Sequence, residues 1–162
     1  MTNQPSQGTG QASSISWQSR QAAEAWRAMA AVHAGVLGQV TEQMLDLAKL
    51  EPGMRVLDVA AGAGEQTLAA SRRIGSTGRI IAVDISASML EAANQTQREQ
   101  GAQNVETRVM DAQRLELDAN SFDAAISRFG VMLVPDPRLA LQEIRRVLKP
   151  SRRAAVMVWG SA

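Results

Sequence analysis

Cysteine is absent from the 162 residues, which excludes a disulfide scaffold, a thiolate nucleophile and any cysteine-based zinc site. Histidine occurs once, as His33, so neither a serine–histidine–aspartate triad elsewhere in the chain nor a multi-histidine metal centre can be assembled. Neither sign of charge is in excess. Seventeen Lys and Arg against sixteen Asp and Glu leave a net +1, and no bulk field argues for nucleic acid or a membrane surface as partner. No apolar run approaches the roughly 20 residues needed to cross a bilayer. These absences point to a cytoplasmic protein with no nucleic-acid partner, no membrane span and no metal.

What is present is ordinary globular composition, with 45% apolar and 20% charged residues in one domain's length of chain. Residues 1–14 are Gln, Ser, Thr, Gly and Asn for the most part, with neither a basic start nor an apolar stretch. They read as a disordered tail rather than a signal peptide. Beyond it the pattern turns helical. Ala22, Trp26, Met29 and Ala30 share a stripe, Gly35 and Gly38 loosen it, and Leu37, Val40, Met44 and Leu47 recur at three- and four-residue steps. Glu51-Pro52-Gly53 is a turn.

From Arg55 the texture changes to short apolar strands separated by helices. RVLDVA (55–60), RIIAVD (79–84), NVETRVMD (104–111), a stretch within SFDAAISRFG (121–130) and RRAAVMVWG (152–160) read as five strands. AGAGEQTLAASRRI (61–74) is a glycine loop entering a helix. Ser86 or Ser88 can cap the next helix, and Ser88 with Glu91 has capping-box spacing. Asp136-Pro137 starts another, with Ala140, Ile144, Val147 and Leu148 as its buried face. Alternating strands and helices predict an α/β fold of parallel βαβ units with helices on both faces of one sheet.

The loop Asp58-Val59-Ala60-Ala61-Gly62-Ala63-Gly64 lets a ligand lie against the backbone at a helix N-terminus. Asp84 ends the second strand, where open α/β sheets place the acid that takes ribose hydroxyls; a helix-cap or turn aspartate is the plainer alternative. Asp58 stands inside a strand, which disfavours it, so it is expected to orient the loop or attract a ligand ammonium. The dinucleotide fingerprint lacks its third glycine, Thr67 standing in that place. A zwitterionic nucleoside therefore fits better than a diphosphate.

LDVAAGAGEQT, IIAVDIS, VMDAQRL and SFDAAISRFGVMLVPDP leading to ALQEIRRVLKP together resemble the class I S-adenosylmethionine-dependent methyltransferases, of the ubiquinone/menaquinone biosynthesis type. The resemblance runs from Val56 to about Trp159. It implies a Rossmann-like sheet of order 3-2-1-4-5, S-adenosyl-L-methionine as cofactor and methyl transfer to a small-molecule acceptor. It also implies Asp58, Ala60, Gly62 and Gly64 around the methionine part, and Asp84 on the ribose. Ile85 and Met89 would pack on the adenine, Asp111 and Ala112 would meet its edge, and Ser127 and Arg128 would lie beside the cofactor facing the acceptor. Blander roles stand beside these: Met89 as core, Asp111 as a strand end, Arg128 as a solvated loop cation, Phe129 and Trp159 as buried aromatics. No catalytic side chain is implied, although His33 is the one group with a pKa near neutrality should the acceptor have to lose a proton. Residues 15–50 are expected to form a helical lid and 51–162 the cofactor-binding core.

Three departures from the family's pattern matter. Ala60 stands where the first glycine is usual, Pro150-Ser151-Arg152 replaces Pro-Gly-Gly, and the family's last two strands do not follow. The reading is of a C-terminally truncated core whose fifth strand is an open edge, inviting self-association. An NAD(P)-binding module and a non-catalytic cofactor-binding fragment are the competing functions.

Overall fold

A computed structural model describes residues 30–160 together with Gln21, Glu24, Ala25 and Ala28, the side chains of residues 30–34 excepted. The expected tail, Trp17, Trp26 and the His33 side chain lie outside the described residues.

The elements run α1 (Ala30–Leu47), β1 (Arg55–Val59), α2 (Glu65–Ile74), β2 (Arg79–Asp84), α3 (Ala87–Glu99), β3 (Val105–Val109), β4 (Phe122–Arg128), α4 (Pro137–Val147) and β5 (Leu148–Met157). A single 3-10 turn, Val131–Leu133, follows β4. The five strands form one parallel sheet of order β3-β2-β1-β4-β5, the Rossmann-like arrangement. β1 is central because it is apolar on both faces. Val56 belongs to a cluster with Met44, Leu45, Ala48, Ala70, Ile74, Ile80 and Ala82, under α1 and α2. Leu57 and Val59 belong to another with Ile81, Val83, Ala125, Ala140, Ile144 and Val147, under α4. Two buried faces explain why β1, β2 and β4 lack polar alternation.

Local chemistry sets the helix ends. Ser86 caps α3, its Oγ accepting from the Met89 N–H; of the two serines, it is the cap. Asp136 caps α4 through the Arg138 and Leu139 N–H groups, with Pro137 in the first turn. α4 ends at Val147, and Leu148 is already extended. The fifth strand therefore begins earlier than the sequence indicates. Leu148 pairs with Phe122, and after an irregularity Arg153 pairs with Ala124. Ser151 in that irregularity takes φ 61°, the left-handed conformation that a glycine in the usual motif would adopt freely.

α1 is part of the core. Leu37, Thr41, Met44 and Leu45 are buried, and none of α1's described residues lines the cavity at the strand tips. Deleting residues 17–49 would therefore strip buried apolar surface from the sheet rather than merely uncover a site. No described helix is long and apolar enough to cross a membrane.

Candidate cofactor site

At the carboxyl ends of the strands lies a cavity of about 390 Å³, within the ~300–1,000 Å³ typical of small-molecule sites. Its walls bring together Ala60, Gly62, Asp84, Ile85, Met89, Asp111, Ala112 and Arg128. Eight of the eleven residues implied by the resemblance thus converge from elements up to seventy residues apart. The other three, Asp58, Gly64 and Ser127, do not line it.

Asp84 is fixed by backbone amides. The Gly62 N–H donates to Oδ2 at 2.9 Å and the Ser86 N–H to Oδ1 at 2.9 Å. Burial raises its pKa, opposed by hydrogen bonds from Ser86, Gly62 and Ile85. It is therefore both a turn aspartate and an acceptor at the cavity, since a carboxylate has about four lone-pair positions and the three amides do not use them all. Asp111 is oriented differently: Gln113 donates to it from its backbone N–H at 2.9 Å and from Nε2 at 3.1 and 3.2 Å. Gln113 Oε1 in turn accepts from the Asp136 N–H at 3.0 Å, tying this corner of the site to the start of α4.

Asp58 lies behind the loop, fully buried. Its carboxylate accepts from Thr67 Oγ1 at 2.5 Å and Gln66 Nε2 at 3.3 Å, while Gln66 Nε2 also donates to the Ala61 carbonyl at 3.2 Å. Through Gln66 and Thr67 the carboxylate braces the loop, and Gln66 rather than Asp58 lines the cavity. Burial pushes its pKa up to about 7, partly offset by Thr67, Gln66 and the Arg128 charge, with Asp84 adding to the rise. The charge argument against a diphosphate is correspondingly weaker than the sequence implies.

That shift has a sign that can be measured. The folded protein holds the Asp58 proton well above the ordinary 3.8, so folding takes up a proton between these pKa values. Stability then falls as pH rises from about 4 to 7 and levels off above. Asp58→Asn is expected to be stabilised relative to wild type at pH 8 and to lose that advantage near pH 4. Urea midpoints of the two proteins across this range are the check; a constant difference would contradict the buried-proton account.

Arg128 is not the solvated cation its loop position allows. It is 8% exposed, and its guanidinium donates to Glu65 Oε2 at 2.6 Å and Thr41 Oγ1 at 3.0 Å. Trp159 is likewise not buried. It is 65% exposed and stacks on Phe129, which is itself only partly covered, with ring centroids 4.3 Å apart and planes 1° apart.

Sequence reasoning missed Gln66, Met110, Gln113, Gly130 and the segment Met132–Pro135 in the walls. Only one signal was available for them: Gln66 and Gln113 are amides beside the two singled-out acidic motifs. Gly64 is indirect, its left-handed φ of 86° turning the chain into α2 where a Cβ would stand 2.9 Å from Ala93 Cβ. The Ser127 hydroxyl is buried without a hydrogen-bond partner, away from the cavity lining.

A family model described as "Methyltransferase domain" matches residues 50–157. The 2-phytyl-1,4-naphtoquinone methyltransferase of Trichormus variabilis is 42% identical over 111 residues, 66% of this chain and 47% of that protein. The demethylmenaquinone methyltransferase of Staphylococcus aureus is 42% identical over 98 residues, 60% of this chain and 40% of that one. Among solved structures, a SAM dependent methyltransferase from Aquifex aeolicus has a TM-score of 0.68 at 30% identity, covering 74% of this chain and 63% of its own. This chain spans about half the length of the curated relatives it matches.

Proposed function

The chain belongs to the methyltransferase domain family, and on that premise we propose that it binds S-adenosylmethionine in the strand-tip cavity and directs its methyl group to a small-molecule acceptor. The observation that carries the reading is the Asp84 carboxylate, held by two backbone amides at the cavity between the glycine loop and α3. A carboxylate pre-oriented in this way suits a vicinal diol, which donates two hydrogen bonds to it. Ile85 and Met89 flank it with apolar surface for a purine, and Asp111, aimed by Gln113, offers an acceptor for an exocyclic amine. The Gly62 loop and Gln66 are left for the amino-acid end.

The cofactor supplies a methyl on a sulfonium that carries its own leaving group. The chain's residues need only bind, orient and exclude water, and such positioning contributes roughly 7–11 kcal/mol in favourable cases. A dinucleotide is the weaker reading. Thr67, where the fingerprint wants glycine, is fully buried with its hydroxyl committed to Asp58, and two carboxylates face the space a diphosphate would enter. β5 is an outer strand of the described sheet, and we propose its outer side as a site for pairing with a second copy, which a size measurement in solution tests.

Calorimetry with S-adenosylhomocysteine decides between the readings. Hydrogen bonds to a charged acceptor contribute roughly 1.5–3 kcal/mol each, so Asp84→Ala is expected to weaken binding on the order of 100-fold. Equal affinity in the two proteins, or binding of NAD and not of S-adenosylhomocysteine, overturns the proposal.

A further inference from the structure

We propose that Gln66 couples ligand binding to the ionisation of Asp58: its oxygen takes the ligand's amino group while its nitrogen holds the carboxylate behind the loop. The inference rests on the methyl-transfer reading above and concerns how that same site responds to pH.

Geometry fixes which way the Gln66 amide points. Its Nε2 donates backwards to two acceptors, Asp58 Oδ1 at 3.3 Å and the Ala61 carbonyl at 3.2 Å. An amide nitrogen has two hydrogens, and these bonds use both. Turning the amide over would set its oxygen against two other oxygens and forfeit both bonds. Oε1 therefore faces away from the loop. It accepts no hydrogen bond from a described residue and is not among the sealed side-chain atoms, although Gln66 is buried as a whole and lines the cavity. A fixed acceptor of this kind requires a donor, and an ammonium is the donor at the amino-acid end of the ligand.

Asp58 is the other end of the relay. It is fully buried, and its hydrogen-bond partners Thr67 and Gln66 both come from α2. The charged groups that bear on it are Arg128 at the end of β4, which favours the carboxylate, and Asp84 at the end of β2, which opposes it. The Arg128 guanidinium is already bound to Glu65 on α2 and Thr41 on α1. Burial therefore prevails and leaves the Asp58 carboxyl with a pKa of about 7, so neutral pH populates both of its forms. The network serves either form. A proton on Oδ2 is donated to Thr67 Oγ1, while Oδ1 still accepts from Gln66. A cation against Oε1 polarises the amide and strengthens its N–H as a donor to Oδ1, which favours the ionised carboxylate. Binding of an ammonium thus releases the Asp58 proton to solvent.

The test is calorimetry on the full chain at pH 6 and pH 8 with two ligands, S-adenosylhomocysteine and its analogue lacking the α-amino group. An Asp58 that ionises roughly ten-fold more readily in the complex raises affinity about five-fold between these pH values. Wild type is expected to show that gain with S-adenosylhomocysteine and not with the deaminated analogue. Both ligands carry the diol, so any titration of Asp84 cancels between them. Asp58→Asn keeps an acceptor for Gln66 but cannot ionise, and it should lose the gain; Gln66→Leu, which breaks the relay, should lose it too. A flat profile in wild type, an equal gain with both ligands, or a gain that persists in either variant overturns the coupling. Failure of wild type to bind S-adenosylhomocysteine at either pH strikes instead at the methyl-transfer reading, so the two failures are told apart.

Discussion

Gly130→Ala is expected to destabilise the protein by about 3 kcal/mol, the upper range for forcing one methyl into a packed site. A Cβ built on Gly130 would stand 2.1 Å from the Ala60 Cβ and 3.4 Å from its Cα and carbonyl oxygen. The conflict is steric and not conformational, because Gly130 sits at φ −90°, ψ −47°, which alanine accepts. Ala60, by contrast, holds a left-handed φ of 56°, which costs an L-residue roughly 1–2 kcal/mol. Ala60→Gly relieves that strain, offset by about 0.5–1 kcal/mol of added freedom in the unfolded chain, so it should be neutral to slightly stabilising. Removing the Ala60 methyl also removes the 2.1 Å overlap, leaving only ordinary contacts at 3.4 Å. The double variant Ala60→Gly/Gly130→Ala should then lie within about 1 kcal/mol of wild type, a coupling of roughly 2–3 kcal/mol. Urea midpoints at constant m-value measure all four corners. Additive effects would mean that the two residues do not share this space. The cycle has a functional edge as well: both residues line the cavity, so the methyl at 60 is accommodated only because residue 130 has none.

This pair shows where the sequence stops being legible. Strand identity and the α4 cap follow from short-range chemistry, runs of apolar residues and an aspartate before a proline, whereas strand order is implied only by the family resemblance and the α3 cap stays open between Ser86 and Ser88. The acids at the tips of β2 and β3 are legible too, because the topology places strand tips together whatever the side chains. The Ala60–Gly130 contact joins residues seventy positions apart and leaves no periodic trace. Left-handed backbone at Phe129 is invisible for a different reason, since nothing in the identity of a non-glycine residue announces it; at Ala60 and Ser151 the one hint is that they stand where the family's glycines are usual. Trp159, expected among the buried aromatics, is exposed, which depends on where β5 ends and on the turn at Phe129, neither of which the local pattern fixes. Asp58 illustrates a third limit. Its strand position marks it as unusual, but whether its carboxylate faces the ligand or the helix depends on Thr67 and Gln66 reaching back to it.

Arg128→Met is expected to be as damaging as the glycine substitution, by about 3–5 kcal/mol. The guanidinium is the junction of three elements: it leaves the end of β4, donates to Glu65 in the first turn of α2, and donates to Thr41 on α1. The ion pair is buried, with side-chain exposures of 4% for Arg128 and 15% for Glu65, so water cannot take over when one partner is removed. The loss is dominated by the Glu65 carboxylate left in low dielectric without its guanidinium, rather than by the attraction forgone. Neutralising both partners separates these contributions. Glu65→Met/Arg128→Met exchanges the pair for apolar volume and should recover most of the stability, within about 1 kcal/mol of wild type. Arg128→Lys should fall between, because an ammonium has no fork to span Glu65 and Thr41 together. If the double variant proves as unstable as Arg128→Met alone, the arginine acts through its packing and not its charge. Should the recovery occur with S-adenosylhomocysteine binding intact, the pair's part is to hold α1 and the glycine-loop helix against β4, and the ligand then reads the shape of that junction rather than its charge.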